Sequence, residues 1–163
     1  MNPNMQHPFT CKISGPTGSG KTVFMLKLIR HAQQVITPPP ERIIYCYGEY
    51  QKVFDTYPNV QFHDGLPDLN NFDGKNRTLP VLDDLITSTD DRVVDLFTKI
   101  SHPGYIPVIY LTQNIFYKSK QSRTLSLNSH YLLLFKNSPH ALKVDNLAQT
   151  NVPWEESLYG GCI

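Results

Sequence analysis

Two observations predict an α/β fold built on a parallel sheet with helices on both faces. Short, almost wholly apolar strands alternate with helical stretches along much of the 163-residue chain, the pattern of strands buried on both sides. The first strand runs through a glycine-rich turn directly into a helix, which is how strand–loop–helix units of parallel sheets begin.

Taken in order, residues 9–14 (FTCKIS) form a strand and residues 21–34 (KTVFMLKLIRHAQQ) a helix with apolar residues on more than one face. Residues 37–41 (TPPPE) stop it, because three prolines supply no backbone donors. RIIYCY (42–47) reads as a buried strand broken by Gly48. EYQKVFDTY (49–57) is a short helix candidate, VQFH (60–63) a possible strand, and residues 64–78 a polar stretch rich in turn formers. LPVLDDLI (79–86) is a strand kept brief by Pro80. Residues 88–101 suit a helix: Ser88 or Thr89 caps it, Asp90 and Asp91 favour its positive end, and Val93, Leu96, Phe97 and Ile100 share a face. PVIYLTQ (107–113) is a strand, residues 114–130 a polar, basic segment, and YLLLFKN (131–137) a last buried strand.

Composition narrows the partners. A formal net charge of +1 carries no strong basic field for nucleic acid, so any such contact needs a local patch. Cys11, Cys46 and Cys162 lack the paired spacing of a zinc or redox site, which suggests a reducing, intracellular setting. No apolar run approaches the roughly 20 residues of a membrane helix, and nothing points to a membrane partner. The six histidines are scattered without ligand spacing.

The chemistry is concentrated in GPTGSGKT, residues 15–22. Gly15, Gly20, Lys21 and Thr22 satisfy G-x-x-x-x-G-K-[ST] between a strand and a helix, the context that gives this motif meaning. Glycines let successive backbone N–H groups curl around phosphate oxygens, with Pro16, Thr17, Gly18 and Ser19 completing the loop. Lys21 brings charge to the β and γ phosphates, Thr22 a hydroxyl to Mg²⁺, and the helix start its dipole. The expected ligands are therefore ATP and Mg²⁺.

A phosphate loop needs a carboxylate downstream, and LPVLDDL places Asp83 and Asp84 at a strand end. Asp83 is expected to serve the metal, directly or through its water, and Asp84 to orient or deprotonate the attacking water. Gln113, at the end of the next strand, is expected to contact the γ-phosphate or that water; the alternative is an amide capping a strand end. Lys118, Lys120 and Arg123 lie in one basic segment. Arg123 is a candidate arginine finger toward a neighbouring subunit, Arg92 a second one, and the lysines could touch DNA phosphates; a solvated loop is the plainer alternative. Glu49 reads chiefly as part of a turn and helix start.

In this order, GPTGSGKT, IIYCYGEYQ, VLDDL, VIYLTQN and then the run Arg-Thr-x-Ser-x-Asn-x-His-Tyr from Arg123 to Tyr131, the chain resembles the HerA/FtsK-type packaging ATPases of double-stranded DNA viruses and of Polinton (Maverick) transposons, relatives of the poxvirus packaging ATPase. The resemblance covers residues 8–139. It implies a RecA-like (ASCE) P-loop NTPase sheet with strand order 5-1-4-3-2, a homo-oligomeric ring, double-stranded DNA as partner and capsid proteins as further ones. It also implies Lys21 and Thr22 on phosphate and metal, Asp83 as metal acid, Asp84 as catalytic acid and Gln113 as sensor. The corresponding division is an N-terminal arm (1–8), an ATPase domain (9–139) and an atypical tail (140–163). The family continues with strand and helix after Asn137, whereas this tail is polar with little periodicity, which suggests a shortened or domesticated copy. Two other functions fit the residues: a nucleotide-binding interaction module without transport, and a small P-loop kinase. A viral or transposon product would act in the nucleus or cytoplasm of its host cell, or with the virion.

Overall fold

The computed structural model describes residues 4–68, 72, 76–85, 106–113 and 120–135. The helix expected over 88–101 with Arg92, the residues Asn114 and Lys118, the side chain of Lys120, and the tail 140–163 lie outside the described residues.

Six strands form one parallel sheet: β2 (Thr10–Ser14), β4 (Arg42–Tyr47), β5 (Gln61–Asp64), β6 (Thr78–Asp83), β7 (Val108–Thr112) and β8 (Tyr131–Leu134), in the order β5-β4-β6-β7-β2-β8. The five strands expected from the sequence keep their 5-1-4-3-2 order. The correction is a sixth strand, β5, which pairs beside β4 and extends the sheet edge. A separate two-stranded sheet of β1 (Met5–Gln6) and β3 (Ile36–Thr37) was not expected.

Pro80 does not shorten β6, which runs six residues. Its ladder with β7 begins only at Val81, so up to Pro80 the strand is an edge on that side, where a missing donor is tolerated.

Alternation along the strands divides the core in two. Cys11, Ile13, Tyr45, Val81, Ile109 and Leu111 pack with Met25, Leu26 and Ile29 of helix α1 (Lys21–Arg30). Ile44, Cys46, Leu82, Val108 and Tyr110 face the other way, with Leu125 of helix α3 (Lys120–Leu127). The sheet is thus covered on both faces, as the sequence predicts. Cys11 and Cys46 are free and buried, and burial pushes both thiols up, Cys46 to about 12, so they serve packing rather than nucleophilic chemistry.

The helix after the glycine loop breaks at His31, and α2 (Ala32–Val35) follows as a separate turn. The candidate over 49–57 is a short 3₁₀ turn, Lys52–Thr56, held by the buried Phe54. The larger correction is α3, in a stretch that reads as polar and basic. Its inward anchor is Leu125, and the remaining ties are polar: Lys12 Nζ donates to Ser126 Oγ at 2.7 Å, Thr10 Oγ1 to the Asn128 carbonyl at 2.6 Å, and the Thr10 amide to His130 Nδ1 at 3.0 Å. A helix fixed by hydrogen bonds to a neighbouring strand carries little apolar periodicity.

Lys12 is the unusual member of this set, fully buried in β2 between β7 and β8. Burial pushes the pKa of its ammonium down to about 8, from an ordinary value of 10.5. Between those two values the unfolded chain binds more protons than the folded one, so this group's contribution to stability rises with pH across that window. Lys12→Met removes the dependence. The difference in thermal midpoint between variant and parent is expected to move by a few degrees in the parent's favour from about pH 7 to about pH 10. Paired melting curves at the two pH values check this; a difference that does not move with pH would contradict it.

Candidate nucleotide site

The loop of residues 15–22 leaves β2 between two neighbours that fix its entry. Gly15 N donates to the Thr112 carbonyl of β7 at 3.2 Å, and Phe135 N, just past β8, donates to the Ser14 carbonyl at 2.8 Å. Gly18 and Gly20 have φ of 76° and 90°. Nothing lies within 4 Å of where a Cβ would stand at either one, so the left-handed backbone and not space selects glycine there. Gly15 is the opposite case. A Cβ on it would come 2.5 Å from Phe135 Cβ and 2.9 Å from Ser19 Oγ, so close approach excludes a side chain.

Lys21 points into this loop, 8% exposed, and its ammonium donates to the carbonyls of Gly15 at 2.7 Å and Pro16 at 2.9 Å. Burial lowers its pKa, opposed by the charges of Asp84 and Asp83. Ser19 Oγ is buried without a hydrogen-bond partner among the described residues. A buried hydroxyl of this kind in a glycine-rich loop beside a lysine suits an oxyanion ligand.

Asp83 ends β6 on the α1 face and is 9% exposed. Its Oδ2 accepts from Thr22 Oγ1 at 3.2 Å and from the phenol of Tyr45 at 2.6 Å. Burial raises its pKa, while the Tyr45 and Thr22 hydrogen bonds pull it down. The hydroxyl of Thr22 and the carboxylate of Asp83 are hard oxygen donors converging at the start of α1, a set that fits Mg²⁺.

Asp84 has φ 53°, a left-handed conformation that a short polar residue tolerates better than most. Its amide donates to the Leu111 carbonyl at 3.1 Å, and its Oδ2 accepts from Gln113 Nε2. Asp84 and Gln113, separate roles on sequence grounds, are thus one hydrogen-bonded pair between adjacent strand ends.

Arg123 does not join this group. It is exposed on α3, across the sheet from α1, and no contact among the described residues links it to the loop. Tyr45 and Phe135 are the residues that sequence reasoning missed. Tyr45 carried a signal, since a tyrosine inside a buried apolar strand must find a partner for its hydroxyl. Phe135, which also packs edge-on against Phe24 of α1 with ring centroids 5.5 Å apart, reads in sequence only as a strand end.

Parallel order, β2 held between β7 and β8, and the loop between β2 and α1 define a P-loop NTPase fold. Among solved structures the chain is similar to the cytoplasmic domain of EssC, with TM-score 0.58 and 13% identity over 95% of this chain. It spans 36% of that longer EssC chain. It is also similar to the genome packaging NTPase B204 from Sulfolobus turreted icosahedral virus 2, solved with ATP-gammaS, with TM-score 0.51 and 16% identity over 95% of this chain and 89% of the other. No protein-family model and no curated protein matches the chain.

Proposed function

We propose that this chain binds ATP with Mg²⁺, hydrolyses it, and acts as one subunit of a ring that packages or translocates double-stranded DNA. The observation that carries the nucleotide part is the convergence of Lys21, Thr22 and Asp83 at the start of α1, with Thr22 Oγ1 3.2 Å from Asp83 Oδ2. The motor part is supported by the likeness in fold to a viral genome packaging NTPase.

Thr17, Gly18 and Gly20 supply N–H groups for phosphate oxygens, since Pro16 has none and those of Gly15 and Ser19 are donated to carbonyls, and Lys21 exchanges its two loop carbonyls for the β and γ phosphates. Thr22 and Asp83 hold Mg²⁺, which when bound neutralises charge building on the phosphate oxygens. Asp84 takes the proton of the attacking water, and Gln113, bonded to Asp84, senses the γ-phosphate. Arg123, being exposed, is available to a neighbouring subunit's nucleotide. Capsid proteins are the proposed further partners, in the nucleus or cytoplasm of a host cell or in the virion.

Steady-state ATP hydrolysis with and without double-stranded DNA tests this reading, with stimulation of several-fold by DNA as the expected result. Hydrolysis unchanged by DNA, without DNA binding, would sink the motor and leave a nucleotide-binding interaction module, the reading that the near-neutral charge of +1 favours. ADP formation strictly dependent on a small acceptor would instead identify a kinase.

A further inference from the structure

The Asp83 carboxylate is held from a direction that the P-loop motif does not supply. Tyr45 stands on β4 opposite Val81, one pleat back from Asp83 on the same face of the sheet. Its ring is fully buried against Phe54 and Phe62, with centroids 5.2 and 5.4 Å away. Its hydroxyl reaches Asp83 Oδ2 at 2.6 Å, shorter than the 3.2 Å bond that Thr22 makes to the same oxygen. Both bonds fall on Oδ2, which among the described residues leaves Oδ1 for a cation.

We propose that Tyr45 is a positioning residue for the metal site: packed rigidly between two phenylalanines, it fixes the Asp83 carboxylate so that a divalent cation meets one oriented oxygen. This inference rests on the nucleotide reading above. A phenol locked by packing loses little further freedom on holding the carboxylate, and groups in this position behind a metal ligand alter metal affinity about 10- to 100-fold when removed. Thr22 holds the same oxygen only by the longer bond of 3.2 Å, its hydroxyl proton donated to Asp83 while its oxygen lone pairs are free to meet the cation.

Tyr45→Phe keeps the ring and its packing and removes only the hydroxyl. The experiment is binding of ATP-gammaS by the full chain, titrated with Mg²⁺, beside a thermal melt in EDTA that reports folding. The Mg²⁺ concentration for half-maximal binding is expected to rise about tenfold, while the midpoint in EDTA stays within a few degrees. Turnover at saturating Mg²⁺ should recover toward that of the parent, placing the defect in metal affinity. In an Asp83→Ala background, Tyr45→Phe should change the Mg²⁺ requirement less than about twofold, since no side-chain oxygen remains for the phenol to orient. A folded Tyr45→Phe protein whose Mg²⁺ requirement stays within about twofold of the parent overturns the role of Tyr45 and leaves the nucleotide site intact. An equal shift in the Asp83→Ala background overturns it too, by showing that the hydroxyl acts elsewhere. If the parent itself shows no Mg²⁺-dependent ATP-gammaS binding, the nucleotide reading fails and this one with it.

Discussion

Lys21→Ala is expected to lower ATP hydrolysis at least about 100-fold, the scale on which a preorganised charge at a reacting centre acts. Nucleotide affinity should fall with it, because the ammonium is the cation inside the loop and is largely shielded from water. The same group also ties the carbonyls of Gly15 and Pro16, so its removal loosens the loop as well as removing charge. Equilibrium binding of a fluorescent ATP analogue, turnover and a thermal melt separate these effects. A variant that keeps its melt and loses both binding and turnover fits the assignment. One that hydrolyses ATP within about tenfold of the parent would remove Lys21, and the loop with it, from the chemistry.

Asp84→Asn is the second large effect and should divide binding from turnover. Asparagine is close in shape, tolerates the φ of 53°, and can still accept a hydrogen bond from Gln113 through its side-chain oxygen. What it loses is the capacity to take a proton. Turnover is expected to drop by about 10²- to 10⁴-fold, the range of general-base catalysis, with ATP affinity within about twofold. Alanine would be a poorer choice, since it would combine loss of the carboxylate with strain in a left-handed turn. Single-turnover hydrolysis at saturating ATP measures the step directly, and a rate within tenfold of the parent would reassign Asp84 to structural support of the turn.

The sheet was legible in the sequence because most of its strands are short, largely apolar runs, and the glycine loop because its motif fixes spacing. What escaped was whatever polar contacts decide. Helix α3 has Leu125 facing the core, and its position is set by Lys12, Thr10 and the chain around Asn128 and His130, pairs some 114 to 120 positions apart. No window of sequence holds both halves of such a pair. The edge strand β5 was only a possibility because its burial pattern is mostly exposed, and pairing with β4 decides it. Asp83 and Thr22 could be named as partners from the motif, but Tyr45 could not. Its role depends on β4 lying beside β6 in one register, Tyr45 opposite Val81 and Tyr47 opposite Asp83. A shift of one residue would turn Tyr45 to the other face.

The strand that feeds the phosphate loop is the first of the large sheet to be synthesised, yet its neighbours arrive late: Thr10 pairs with Val108, and Cys11 with Tyr131. The loop entry is closed by Thr112 on one side and Phe135 on the other. Until Phe135 has left the ribosome, the glycine loop lacks at least one of the two neighbours that close its entry in the fold. Non-local pairing of this kind slows folding and exposes apolar strand edges meanwhile. A nucleotide that binds the closed loop alone would then act on the newborn chain as a ligand that favours its completed form.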